Sequence, residues 1–76
     1  MAIRSYLLIH VHAGAESKAQ AALQALDEIV ACDQVTGEMD LIAIAEGPDY
    51  QHILGPLLTK IRQIEGISHT QTCLVL

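Results

Sequence analysis

Apolar and polar positions alternate most clearly near the start of the chain. Within "IRSYLLIHVH", residues 3 to 12, Leu7, Ile9 and Val11 point one way, and Tyr6, Leu8, His10 and His12 point the other. A period of two, carried by β-branched and aromatic residues, predicts a strand. Ala13-Gly14 ends it, and the period changes. Residues 15 to 27, "AESKAQAALQALD", are strong helix formers with Ala19, Ala22, Leu23 and Leu26 on one face and Glu16 near the positive end of the dipole. "IVACDQVT", 29 to 36, and "MDLIAIAE", 39 to 46, predict two strands joined by a tight turn at Gly37. "GPD", 47 to 49, opens a second helix with Asp49 as N-cap or first-turn acid. Ile53, Leu54, Leu57, Leu58, Ile61 and Ile64 then recur at helical spacing. Gly55-Pro56 interrupts this pattern and predicts a kink, or a loose first turn with regular helix from Pro56 onward. Gly66 lies just past the helix end, and "ISHTQTCLVL", 67 to 76, is the last strand.

The order strand, helix, strand, strand, helix, strand selects an α+β, ferredoxin-like βαββαβ sandwich once crossovers are right-handed. Its sheet order is four, one, three, two, with both helices on one face. The third strand is apolar at every position from Leu41 to Ala45, so both of its faces need cover. The helices supply one layer. Nothing in the chain is left for the other face, which carries Tyr6, Leu8, His10 and His12. A second copy is therefore expected on it, giving a dimeric α/β-barrel type of assembly.

Composition sharpens this expectation. A chain of 76 residues makes one domain, residues 1–76, and one this small is marginal alone. Half of the residues are hydrophobic, yet Trp and Phe are absent, so the core is thin and the surplus apolar surface points to burial between subunits. The net charge of −5 and the scattered Arg4, Lys18, Lys60 and Arg62 exclude a basic stripe, so no direct nucleic-acid contact is expected. Cys32 and Cys73 fall on opposite edges of the predicted sheet, too far apart for a disulfide. No signal peptide and no membrane-length apolar run are present, so a cytoplasmic protein with free thiols is expected.

Candidate chemistry gathers at the hairpin turn. Gly37 permits positive φ and lets backbone N–H groups face a carboxylate. Asp40, and with it Glu38, could accept an ammonium group through charge-assisted bonds. The competing reading is an ordinary turn with solvated acids. His10 and His12, at i and i+2, could share a metal with His69 or Glu46 as third ligand, but no Cys or His repeat supports this. Histidines at an interface are the plainer reading, and neither metal nor cofactor is expected. Tyr6 is expected in interface packing and Tyr50 at a helix start. No nucleophile elbow, phosphate loop or paired acid and base is visible, so no enzyme is expected. A small oxygenase-type barrel using His10 and His12, and a purely structural oligomerisation module, are the alternatives.

The segments "SYLLIHVHAG", "QVTGEMDLIAIAEGPD", "LLTKIRQIEGI" and "HTQTCLVL", in that order and spacing, resemble the effector-binding half of the Lrp/AsnC family of leucine- and asparagine-responsive regulators, the RAM domain. The resemblance runs from Ile3 to Leu76. It implies ferredoxin-like dimers that assemble into octamers or other rings, with amino acids bound in clefts between dimers. The loop of Thr36, Gly37, Glu38, Met39 and Asp40 would line that cleft, with Thr70 and Thr72 as neighbours. Full regulators also carry an N-terminal helix-turn-helix domain. This chain starts at the first strand, so a stand-alone effector domain is expected, acting in transcriptional or metabolic regulation, alone or in a mixed assembly with a full-length regulator. Two departures are Met39, where the family usually has an aromatic, and Gly55-Pro56 inside a normally continuous helix.

Overall fold

The computed structural model describes residues 2–76. The strands are β1 (Ile3–Val11), β2 (Ile29–Gln34), β3 (Leu41–Gly47) and β4 (Ile67–Leu74). Helix α1 spans Glu16–Gln24, and the second helical segment divides into α2 (Tyr50–His52), a wide π turn (Ile53–Leu57) and α3 (Leu58–Arg62). The sheet is antiparallel with order β2-β3-β1-β4, the ferredoxin-like arrangement that the element order predicts.

The sheet has one closed face and one open face. Ser5, Leu7, Ile9 and Val11 of β1 and Leu41, Ala43 and Ala45 of β3 are buried beneath Ala19 and Leu23 of α1 and Ile53, Leu57, Leu58 and Ile61 of the second helical segment. Small residues on β3 let the helices approach closely. On the other face Tyr6 stands opposite Ile44 and Cys73, and Leu8 stands opposite Ile42 and Gln71. Leu8, Ile42, Ile44 and Cys73 are only half-buried, and Tyr6 is 40% exposed. His12 falls beyond the end of β1, and its N–H donates to the Gly66 carbonyl at 2.8 Å.

Helix α1 is pinned to β2 by glutamines. Gln20 and Gln24 both donate to the Cys32 carbonyl, at 2.7 and 3.3 Å, and Gln34 donates to Gln20 Oε1 at 2.9 Å. The second helical segment starts as predicted: Asp49 is extended, and its Oδ1 accepts the His52 N–H at 2.8 Å. At Gly55-Pro56 the helix is disturbed, as expected, but regular α-helix does not begin at Pro56. The chain widens into one π turn and resumes as α-helix at Leu58. The Gly55 carbonyl accepts the Leu58 N–H and, at 3.0 Å, the Thr59 hydroxyl. Leu54 lies within this turn and is 49% exposed rather than buried as its spacing suggests.

Cys32 is buried under α1, and burial, helped by Asp33, pushes its thiol up to about 11. Both cysteines are free. They lie on the two edge strands and on opposite faces, since Cys32 pairs with Ala43 on the closed side and Cys73 with Tyr6 on the open side. Among the described residues no helix is long and apolar enough to cross a membrane.

Candidate functional site

The β2–β3 loop owes its shape to Gly37 and Asp40. Gly37 has φ of 110°, a backbone that L side chains rarely adopt, and open space lies around it. Val35 N–H donates to the Asp40 carbonyl at 3.0 Å, closing the loop base, and Asp40 N–H donates to the Ile9 carbonyl at 3.0 Å. Asp40 Oδ2 accepts the Val11 N–H at 2.9 Å, just beyond the last register pair of β1 with β3, Ile9–Leu41. One oxygen of the acid is thus engaged by the fold. Among the described residues no hydrogen bond occupies Oδ1. Thr36, Gly37 and Glu38 are exposed at the loop tip, while Met39 and Asp40 are half-buried at its base.

Asp40 also faces the open-side histidines. His10 Nδ1 is 3.7 Å from Asp40 Oδ2, and the His10 and His69 rings, paired across β1 and β4, have centroids 6.0 Å apart. Thr70 and Thr72 lie elsewhere. They pair with Ile9 and Leu7, so they belong to the closed face, whereas Asp40 is on the open side with His10. One chain therefore gathers Thr36 through Asp40 but does not bring Thr70 or Thr72 to them.

Two shallow clefts flank the same end of the sheet. One, about 400 Å³, is lined by Arg62, Ile67, Ser68, His69 and Thr70. The other, about 380 Å³, is lined by residues that include His12, Gly14, Lys18, Glu65 and Gly66. Neither is lined by the loop residues 36–40. The possibility that His10 and His12 share a metal with His69 or Glu46 as third ligand is not supported for His12 or Glu46. His12 lines the second cleft, and Glu46 sits at the far end of β1 in a 2.8 Å ion pair with Arg4. Among the described residues no three metal-ligating side chains converge.

At the opposite end of the sheet lies a charge cluster that sequence reasoning missed. Glu28, 9% exposed, accepts from His52 Nε2 at 2.8 Å and from Lys60 Nζ at 3.0 Å. The His52 hydrogen bond, then the Lys60 bond and a backbone bond, hold the Glu28 carboxyl down at about 2. Each partner comes from a different part of the second helical segment, so spacing alone gives no signal for it. The cluster ties that segment to the start of β2.

A family model described as the Lrp/AsnC ligand binding domain matches residues 5–76. The chain belongs to that family. No curated protein matches it. Among solved structures, a hypothetical protein from Pyrococcus horikoshii is 27% identical with a TM-score of 0.89, over 97% of this chain and 89% of that one. E. coli AsnC is 25% identical with a TM-score of 0.89, over 97% of this chain and 50% of that one, so this chain spans half of that regulator. A Neisseria meningitidis transcriptional regulator solved as its L-Met complex is 19% identical with a TM-score of 0.74, over 97% of this chain and 49% of that one. At that identity the likeness is one of fold.

Proposed function

We propose that this Lrp/AsnC-type domain is a non-enzymatic sensor of a small molecule, an amino acid by preference, serving transcriptional or metabolic regulation in the cytoplasm. Two copies join through their open sheet faces, and dimers assemble further into a ring. The ligand sits between dimers, where the loop of Thr36, Gly37, Glu38, Met39 and Asp40 from one copy meets Thr70 and Thr72 from another. A full-length regulator of the same family is a candidate partner in a mixed assembly.

The observation that carries this reading is the state of Asp40. The Val11 N–H fixes one of its oxygens, and the other stays available for an ammonium group beside the positive-φ turn at Gly37. A zwitterion needs an anionic and an N–H-rich partner together, and this loop offers both chemistries. The separation of Asp40 from Thr70 across the sheet supports a site shared between chains. The half-exposed Tyr6, Leu8, Ile42 and Ile44 support the pairing of open faces.

Calorimetric titration of the intact protein with each of the twenty amino acids tests this reading, together with sedimentation at micromolar concentration. At least one amino acid should bind saturably, and Asp40→Ala should weaken it at least tenfold, the loss of a charge-assisted bond being worth about 1.5–3 kcal/mol. Binding untouched by that substitution removes Asp40 from the site. A well-folded monomer in the centrifuge leaves an inter-chain pocket without walls.

A further inference from the structure

We propose that His10 and His69 form a binding site for a divalent transition-metal ion, Zn²⁺ or Ni²⁺ in chemistry, on the open face of the sheet. The two residues are register partners on adjacent strands, and their rings are 6.0 Å apart, centroid to centroid, and tilted by 39°. An imidazole nitrogen binds Zn²⁺ at about 2.0 Å and lies about 1.1 Å from its ring centre, so two imidazoles on one tetrahedral ion have centroids about 5 Å apart. Closing that difference requires a side-chain adjustment of about 1 Å, within the reach of χ rotation on two partly exposed rings. The backbone already supplies the pairing.

The third participant is Asp40. Its Oδ2 lies 3.7 Å from His10 Nδ1 and is itself held by the Val11 N–H at 2.9 Å. At 3.7 Å the carboxylate is too far for a hydrogen bond, but its charge favours the tautomer that keeps a proton on Nδ1 and leaves Nε2 free to act as the ligand. Asp40 thus acts on the ion through His10, as a positioning residue. His12, two residues on, takes no part, because β1 ends and its register shifts after His10. The surplus of acidic side chains in the whole chain, net −5, favours a cation. Two protein nitrogens leave further positions for water or for a donor from whatever covers this face. The site needs no effector and its two ligands lie outside the loop, but it shares Asp40 with the amino-acid reading and lies on the face through which two copies join in that reading.

Titration of the metal-stripped protein with ZnCl₂, and separately NiCl₂, decides the matter. Saturable binding is expected, with the His10 and His69 ring resonances shifting selectively in NMR spectra. His10→Ala and His69→Ala should each lower affinity at least tenfold. Asp40→Asn should lower it less, and His12→Ala should leave it unchanged. Acidification should release the ion, because only neutral imidazole ligates. Circular dichroism of each variant separates loss of ligand from loss of fold, and the ring-resonance shifts in the unaltered chain give a readout that needs no variant. Non-saturable binding, equal binding by all variants, or a loss in His12→Ala as large as in the other two overturns the proposal. A chain that binds Zn²⁺ but no amino acid refutes the sensor reading and leaves this one standing.

Discussion

The two ends of the sheet hold carboxylates in opposite conditions. At one end Glu28 is buried, with His52 and Lys60 both directed at it. At the other, Asp40 is half-exposed, and one backbone N–H engages one of its oxygens. The first acid is saturated and its chemistry is finished inside the fold. The second is anchored but unfinished. A saturated acid locks two segments together, whereas an anchored, unsaturated one is a preorganised group waiting for a donor. The difference separates structural charge from candidate functional charge better than sequence can, since both residues are ordinary acids next to strands.

If that contrast is right, the largest stability loss comes from the saturated end. Glu28→Ala should cost roughly 2–3 kcal/mol, below the about 3–5 kcal/mol of a fully buried pair because His52 and Lys60 are partly reached by water. Denaturant unfolding of the variant measures this, and a cost under about 0.5 kcal/mol, the size of an exposed pair, would break the comparison. Acid should act in the same direction. The folded Glu28 carboxyl lies lowered from 4.5 to about 2, so its contribution is complete above about pH 4.5 and is lost as pH falls toward 2. Midpoints measured from pH 6 down to pH 2 should drop within that window, and the drop should be smaller in Glu28→Ala.

The unsaturated end should respond less. Gly37→Ala forces a Cβ onto a backbone at φ 110°, where nothing crowds it, so the whole cost is conformational. That strain is worth about 1–2 kcal/mol. Thermal unfolding reads the loss. A neutral result would mean that the loop relaxes freely and that its N–H groups are not held in place.

The fold was legible because the signals that carry it are local and redundant. Alternation over Leu7–Val11, helix formers over Ala15–Asp27 and the Asp49 cap each specify one element, and crossover handedness then leaves one topology. The π turn was half legible. Gly55-Pro56 flagged a disturbance, but the sequence does not say whether a missing N–H is absorbed by a kink or by one extra residue. The candidate site was legible only as a loop. Asp40 and Gly37 stand out by residue type and position. The placement of Thr70 and Thr72 on the other face follows from strand register, which a bulge after His10 makes hard to count. The Glu28 cluster was invisible, since it joins residues 24 and 32 positions apart by side-chain reach alone.

The smallest expected effect tests whether the saturated end is saturated throughout. Ser5 lies on β1 opposite Ala45, whose other neighbour is Ile29, the residue after Glu28. Its side chain is fully buried on the closed face, and its Oγ finds no hydrogen-bond partner among the described residues. A buried hydroxyl without a partner keeps its desolvation penalty of about 1–3 kcal/mol, while removing the single oxygen leaves a gap too small for water. The two effects oppose each other, and the desolvation penalty is the larger. Ser5→Ala should therefore raise stability by about 0.5–1 kcal/mol, read as a higher denaturant midpoint at unchanged slope. A loss of more than about 1 kcal/mol would show that the hydroxyl is bonded after all. The Glu28 end would then hold one more satisfied polar group, and the contrast with Asp40 would be sharper still.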